Sequence, residues 1–121
     1  MIRGVRGAIT VQENNEEQIV DATKKLMVQI IEENNIHAED VASVFISVTD
    51  DITAAFPAKA LRLLEGWTHV PVMCMKEIPV PGSLNKCIRV MIHHNTTEKQ
   101  SEVKHVYLEG AVGLRPDLKA L

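Results

Sequence analysis

Arg89 sits in the middle of Cys-Ile-Arg-Val-Met, residues 87 to 91, a run that otherwise reads as a buried strand. A guanidinium placed there must be paired or must face a polar cavity, because leaving its charge uncompensated in an apolar setting is expensive. Glu77, at the end of the preceding apolar stretch, is the natural partner, and the link Pro-Val-Pro-Gly-Ser-Leu-Asn is short enough for antiparallel neighbours. The plainer alternative is a structural ion pair, since such networks also occur without function. Three further arginines bear on the choice: Arg6, flanked by Gly4 and Gly7, Arg62, and Arg115 before Pro116. Singly each reads as solvated. Together with Arg89 they exceed what Glu77 can neutralise, which implies a pocket for a small ligand carrying more than one carboxylate. Tyr107 adds a hydroxyl donor between Val106 and Leu108, although a core ring with its hydroxyl at the surface fits equally well.

Other chemistries lack their residues. His93 and His94 are adjacent, and His37, His69 and His105 stand apart, so no metal spacing is present. The loop Pro-Gly-Ser-Leu has no lysine-serine pair to make a phosphate loop, and neither Cys74 nor Cys87 has a histidine at a spacing that marks a nucleophile. What remains is cationic binding with no evident nucleophile, general-base dyad, metal or cofactor.

The elements that must position these residues fit one domain spanning 1 to 121, with 45% apolar and 24% charged side chains. A net charge of −3 argues against nucleic acid as a partner. No run approaches the roughly 20 apolar residues of a membrane helix, and the start lacks a signal-peptide core, so a cytoplasmic protein with reduced thiols is expected.

The β-branched opening, Ile2 to Val11, predicts a strand whose glycines let another backbone approach. Asn15 is placed to cap a helix over about 16 to 34, with Ile19, Ala22, Thr23, Leu26 and Ile30 on one face. A strand over 41 to 49 presents Val44, Ile46 and Val48 on one face and Phe45 on the other. Pro57 opens a short helix through Ala58, Lys59 and Arg62 to Gly66. Strands over 70 to 78, 86 to 94 and 103 to 109 follow. The expectation is an α+β fold, a five-stranded mixed sheet with one long and one short helix on one face. Two helices leave the other sheet face uncovered, which predicts packing against further copies of the chain.

Five segments in this order, Ile-Arg-Gly-Val-Arg-Gly-Ala-Ile-Thr-Val, Ala-Phe-Pro-Ala-Lys-Ala-Leu-Arg, Val-Pro-Val-Met-Cys-Met-Lys-Glu, Cys-Ile-Arg-Val-Met and His-Val-Tyr-Leu-Glu-Gly-Ala-Val-Gly-Leu-Arg-Pro-Asp-Leu, resemble the small trimeric α/β-barrel chorismate mutases over essentially the whole length. The resemblance implies the Claisen rearrangement of chorismate to prephenate, without a cofactor, in clefts between subunits of a homotrimeric pseudo-α/β-barrel. That reaction needs no proton transfer, so the protein must restrict a flexible dianion and stabilise charge separation.

On this resemblance Arg89 donates to the ether oxygen, Arg6 and Tyr107 bind the enolpyruvyl carboxylate, and Glu77 and Cys74 contact the ring hydroxyl. Arg62 and a mobile Arg115, in a tail from about 115 to 121, assist at the ring carboxylate and cleft mouth. Phe56, Ala58, Lys59, Met73 and Leu114 form walls, and the backbone of Met75 and Lys76 lies along the pocket edge. Strict pleating puts Cys74 and Glu77 on opposite faces, so both reach one ligand only if the strand bulges or bends near Met75 and Lys76. Met73 offers no hydrogen bond of strength. The rival readings are a non-catalytic trimeric module for a small dicarboxylate, a pyruvate-eliminating enzyme on an enolpyruvyl substrate, and an oligomeric interaction domain with buried ion pairs.

Overall fold

A computed structural model describes residues 1 to 114. The first strand, β1 (Ile2–Thr10), leads to helix α1 (Glu16–Asn34), which starts where the Asn15 side chain accepts a hydrogen bond from the Gln18 amide at 2.9 Å. Asn35, in the left-handed conformation, ends it. The remaining strands are β2 (Val41–Val48), β3 (Val72–Lys76), β4 (Cys87–Asn95) and β5 (Val106–Leu108). Between β2 and β3 the short helix over Pro57–Leu63 is of the tight 3-10 type rather than α, with Pro57 at its start.

The sheet order is β3-β2-β4-β1-β5. The three inner strands are antiparallel, and β3 and β5 each join an edge in parallel, giving the mixed five-stranded sheet. Here the expected antiparallel pairing of β3 with β4 fails, because β2 lies between them. The short link rises past β2 at the sheet end, and the hydrophobic pattern alone does not distinguish a hairpin from this arrangement.

One sheet face packs under α1 through Val5, Ile9, Val44, Ile46, Ile88, Val90, Ile92 and Val106, all buried against Ile19, Leu26, Met27 and Ile30. Gly7 permits the close approach: a Cβ there would lie 2.5 Å from Ile30 Cδ1 and 3.0 Å from the Val106 carbonyl oxygen. Asn34 ties the helix end to the approach to β5, donating to the Lys104 carbonyl and accepting from the Lys104 amide, each at 2.8 Å. The opposite face carries Phe45, Met73 and Met75, which remain 43%, 61% and 41% exposed. At one end of that face a 3-10 turn, Glu109–Gly113, covers Ala8 and Cys87 with Ala111. The sequence reading extended a strand into these residues; Glu109 instead adopts positive φ and ends it.

His94 lies on the helix-side face, 6% exposed. Burial holds its pKa below the ordinary 6.5, and the nearby Asp40 and Glu98 offset this only in part. The unfolded chain therefore takes up a proton that the folded chain resists. This contribution to stability is full above 6.5 and is lost as pH falls toward the folded value. Denaturant unfolding at about pH 7.5 and about pH 5.5 is expected to show a smaller acid loss for His94→Gln than for the parent chain. Equal losses would contradict it.

Candidate active site

Arg89 occupies the uncovered face, directly opposite Ser47 of β2 on one side and Ala8 of β1 on the other. Its side chain is 44% exposed, and its Nε lies 3.6 Å from Glu77 Oε2. Glu77 is carried just past β3, where its amide donates to the Val48 carbonyl at 2.8 Å. The two charges thus meet across the intervening strand, with Ser47 between them: the Ser47 hydroxyl donates to Glu77 Oε2 at 2.8 Å. The pairing foreseen from the sequence is present, and the route to it is different.

On the other side of Arg89, Arg6, Ala8, Tyr107 and Leu114 line a cavity of about 110 Å³. The Arg6 amide donates to His105 Nδ1 at 2.9 Å, fixing β1 against the segment that enters β5. Tyr107 Oη is buried and has no hydrogen-bond partner among the described residues. A buried unsatisfied hydroxyl costs about 1–3 kcal/mol, so an acceptor entering beside Arg6 and Arg89 would be favoured by it. Cys87, below Arg89, is not a nucleophile candidate, because burial pushes its thiol above 9.0 despite the pull of Arg89.

The start of β4 is clamped to the exit of β2. Asp51 accepts the Lys86 amide with both carboxylate oxygens at 3.0 Å, and Thr49 Oγ1 donates to Asp51 and accepts from the Cys87 amide at 3.0 Å. Burial pushes the Asp51 carboxyl up, but the Thr49 hydroxyl and Lys86 amide outweigh it and hold the pKa below 3.8. The clamp sets the register in which Arg89 faces Ser47.

A second group of expected residues lies elsewhere. Phe56, Lys59, Arg62, Cys74, Met75 and Lys76 line a larger cavity, about 760 Å³, beside the 3-10 helix. Phe56 is 73% exposed. Lys59 pairs with Glu16 of α1 at 2.9 Å, both exposed. The condition for Cys74 and Glu77 to meet, a bulge near Met75 and Lys76, is not met within β3: β2 and β3 keep continuous register from Val44/Val72 to Val48/Lys76. Cys74 therefore shares the helix-side face of its partner Ile46 and packs on the core, while Glu77 turns to the uncovered face. The irregularity in the sheet is between Val41 and Ser43 instead.

Ala58 packs against the core and Met73 lies beside Phe45 on the uncovered face, so neither lines these two cavities within one chain. Arg115 and the tail lie outside the described residues. Ser47, Thr49 and Asp51 were not singled out from the sequence. Strand alternation places Ser47 with Phe45, so its face was readable, but its partners were not without the strand order.

No helix among the described residues is long and apolar enough to cross a membrane. The family model for chorismate mutase type I matches residues 2–118. The chain is 54% identical over 118 residues to chorismate mutase AroH of Bacillus subtilis (strain 168), covering 98% of this chain and 93% of that protein. It is 49% identical over 121 residues to chorismate mutase AroH of Thermus thermophilus, with 99% and 98% covered. Among solved structures it is similar to a chorismate mutase from Clostridium thermocellum, at TM-score 0.86 and 50% identity, covering 89% of this chain and 96% of that one.

Proposed function

The chain belongs to the chorismate mutase type I family, and we infer that it rearranges chorismate to prephenate, an isomerisation serving aromatic amino-acid synthesis, at sites completed between copies. The observation that carries the reading is the arrangement around Arg89: a half-exposed guanidinium beside Glu77, opening to a cavity with Arg6 and an unsatisfied Tyr107 hydroxyl. In the rearrangement an ether carbon–oxygen bond breaks while a carbon–carbon bond forms, and no proton leaves or arrives. Arg89 donates to the ether oxygen as it gains negative charge, and Glu77 faces the positive charge developing on the ring. Arg6 and Tyr107 hold the enolpyruvyl carboxylate, so that the flexible substrate stays in its compact conformer.

Lys59 and Arg62 supply a second cationic wall, with Phe56 as an apolar one and Cys74 at the ring hydroxyl. Within one chain this wall and the Arg89 group lie on different faces, each open. The uncovered apolar face supports the assembly that would join them: a homotrimer in which one copy brings Arg89, Glu77, Arg6 and Tyr107 and its neighbour brings Phe56, Lys59, Arg62 and Cys74.

Mixing two inactive variants tests this. Arg89→Ala damages one half-site, and Lys59→Glu with Arg62→Glu repels the dianion at the other. Unfolded and refolded together in equal amounts, they are expected to regain about a quarter of wild-type turnover, the fraction of interfaces at which two intact halves meet. Activity that stays at the level of the separate variants would refute the shared site. Loss of chorismate with appearance of prephenate, and no free pyruvate, separates the mutase from an eliminating enzyme or a binding module.

A further inference from the structure

Glu77 follows β3 and Arg89 lies on β4, strands that are not paired with each other, and the residue that joins the two side chains is Ser47. It sits on β2, opposite Met75 of β3 and opposite Arg89 of β4. Its hydroxyl donates to Glu77 Oε2 at 2.8 Å, the same oxygen that lies 3.6 Å from Arg89 Nε. Oε2 is thereby held on the Arg89 side, and Oε1 makes no hydrogen bond with the described residues.

A glutamate has three side-chain torsions to fix, and a 3.6 Å ion pair to a half-exposed arginine is a weak restraint in water. The hydroxyl supplies the directional one, because a hydrogen bond to a charged acceptor is short and geometrically selective. Ser47 itself is rigidly placed: it is half-buried in the middle of a strand paired on both sides, and the Glu77 backbone is tied to the next residue, Val48. Serine contributes almost nothing to packing there, so a plain structural need would be met as well by valine or alanine.

We propose that Ser47 is a positioning residue for the mutase reaction: its hydroxyl pins one oxygen of Glu77 beside Arg89 and leaves the other free for the substrate ring. This rests on Glu77 acting at the ring, as inferred above. The hydroxyl touches no substrate atom in this arrangement; its effect passes wholly through Glu77.

The test compares Ser47→Val, which has the shape of threonine without the hydroxyl, with Ser47→Thr, each in the parent chain and in a Glu77→Ala background. In the parent chain Ser47→Val is expected to lower kcat about 10- to 100-fold with KM changed far less, the loss expected for one hydrogen bond to a charged group. Ser47→Thr is expected to recover most of that loss. In the Glu77→Ala background Val and Thr are expected to be equal, since no carboxylate remains to be positioned. Circular dichroism and light scattering verify that each variant is folded and assembled as the parent is. An equal loss for Ser47→Val in both backgrounds, or no loss in the parent chain, overturns the proposal. Full activity of Glu77→Ala alone overturns instead the role of Glu77 on which it rests, and the two failures are read from different variants.

Discussion

Replacing Arg89 by alanine is expected to lower kcat by ~10²–10³ while leaving a folded, assembled protein, the loss typical of removing one preorganised donor from a developing oxyanion. The fold is expected to survive because the guanidinium is 44% exposed and its ion pair with Glu77 is long, so little stability depends on it. The chain around it is held independently, by Ile88 and Val90 on the opposite face and by the Asp51 clamp at the strand's start. Arg89→Lys is expected to recover little, since an ammonium lacks the planar fork that can face Glu77 and the ether oxygen together. Single-turnover rates with chorismate check both variants. An alanine variant that turns over normally would remove Arg89 from the mechanism.

The second large effect is expected from Phe45→Glu. Phe45 stands on the uncovered face beside Met73 and Met91, its ring 5.0 Å from that of His93 in an edge-on contact. In a single chain it is 43% exposed, so a carboxylate there costs the monomer little. In the proposed trimer the same position would bury three unpaired charges, each at a cost of several kcal/mol. Light scattering is expected to give the mass of one 13.5 kDa chain, with native-like circular dichroism and turnover at background because the half-sites part. A variant that remains assembled and active would show that this face is not the contact.

The sequence made the helix legible because three independent signals agreed at Asn15, Gln18 and the Ile19 to Ile30 stripe, and the observed cap is the one they imply. It made the Arg89 to Glu77 pairing legible because a charge in an apolar strand needs a partner or a polar opening, and the 44% exposed Arg89 has both. It misread how they meet. Strand order is fixed by which neighbour buries the most surface, and nothing in residues 79–85 records that β2 intervenes. That Cys74 and Glu77, three residues apart, point to opposite faces was readable from strict pleating; that no bulge brings them back together was not. Ser47 was passed over because a lone serine in an apolar strand has no signature until its partners are known.

The two outermost strands each hydrogen-bond to a single neighbour, and β5 is only three residues long. Tyr107 rides on that short strand, and Glu77 follows directly on β3. Segments held on one side open at lower free energy than the centre of a domain. Amide exchange should therefore be fastest at the two rims and slowest in β1, β2 and β4, and on warming, catalysis should fade while the helical signal is still intact. Of the groups proposed for the site, Tyr107 and Glu77 sit where the molecule frays first, while Arg6 and Arg89 ride on its most firmly held strands.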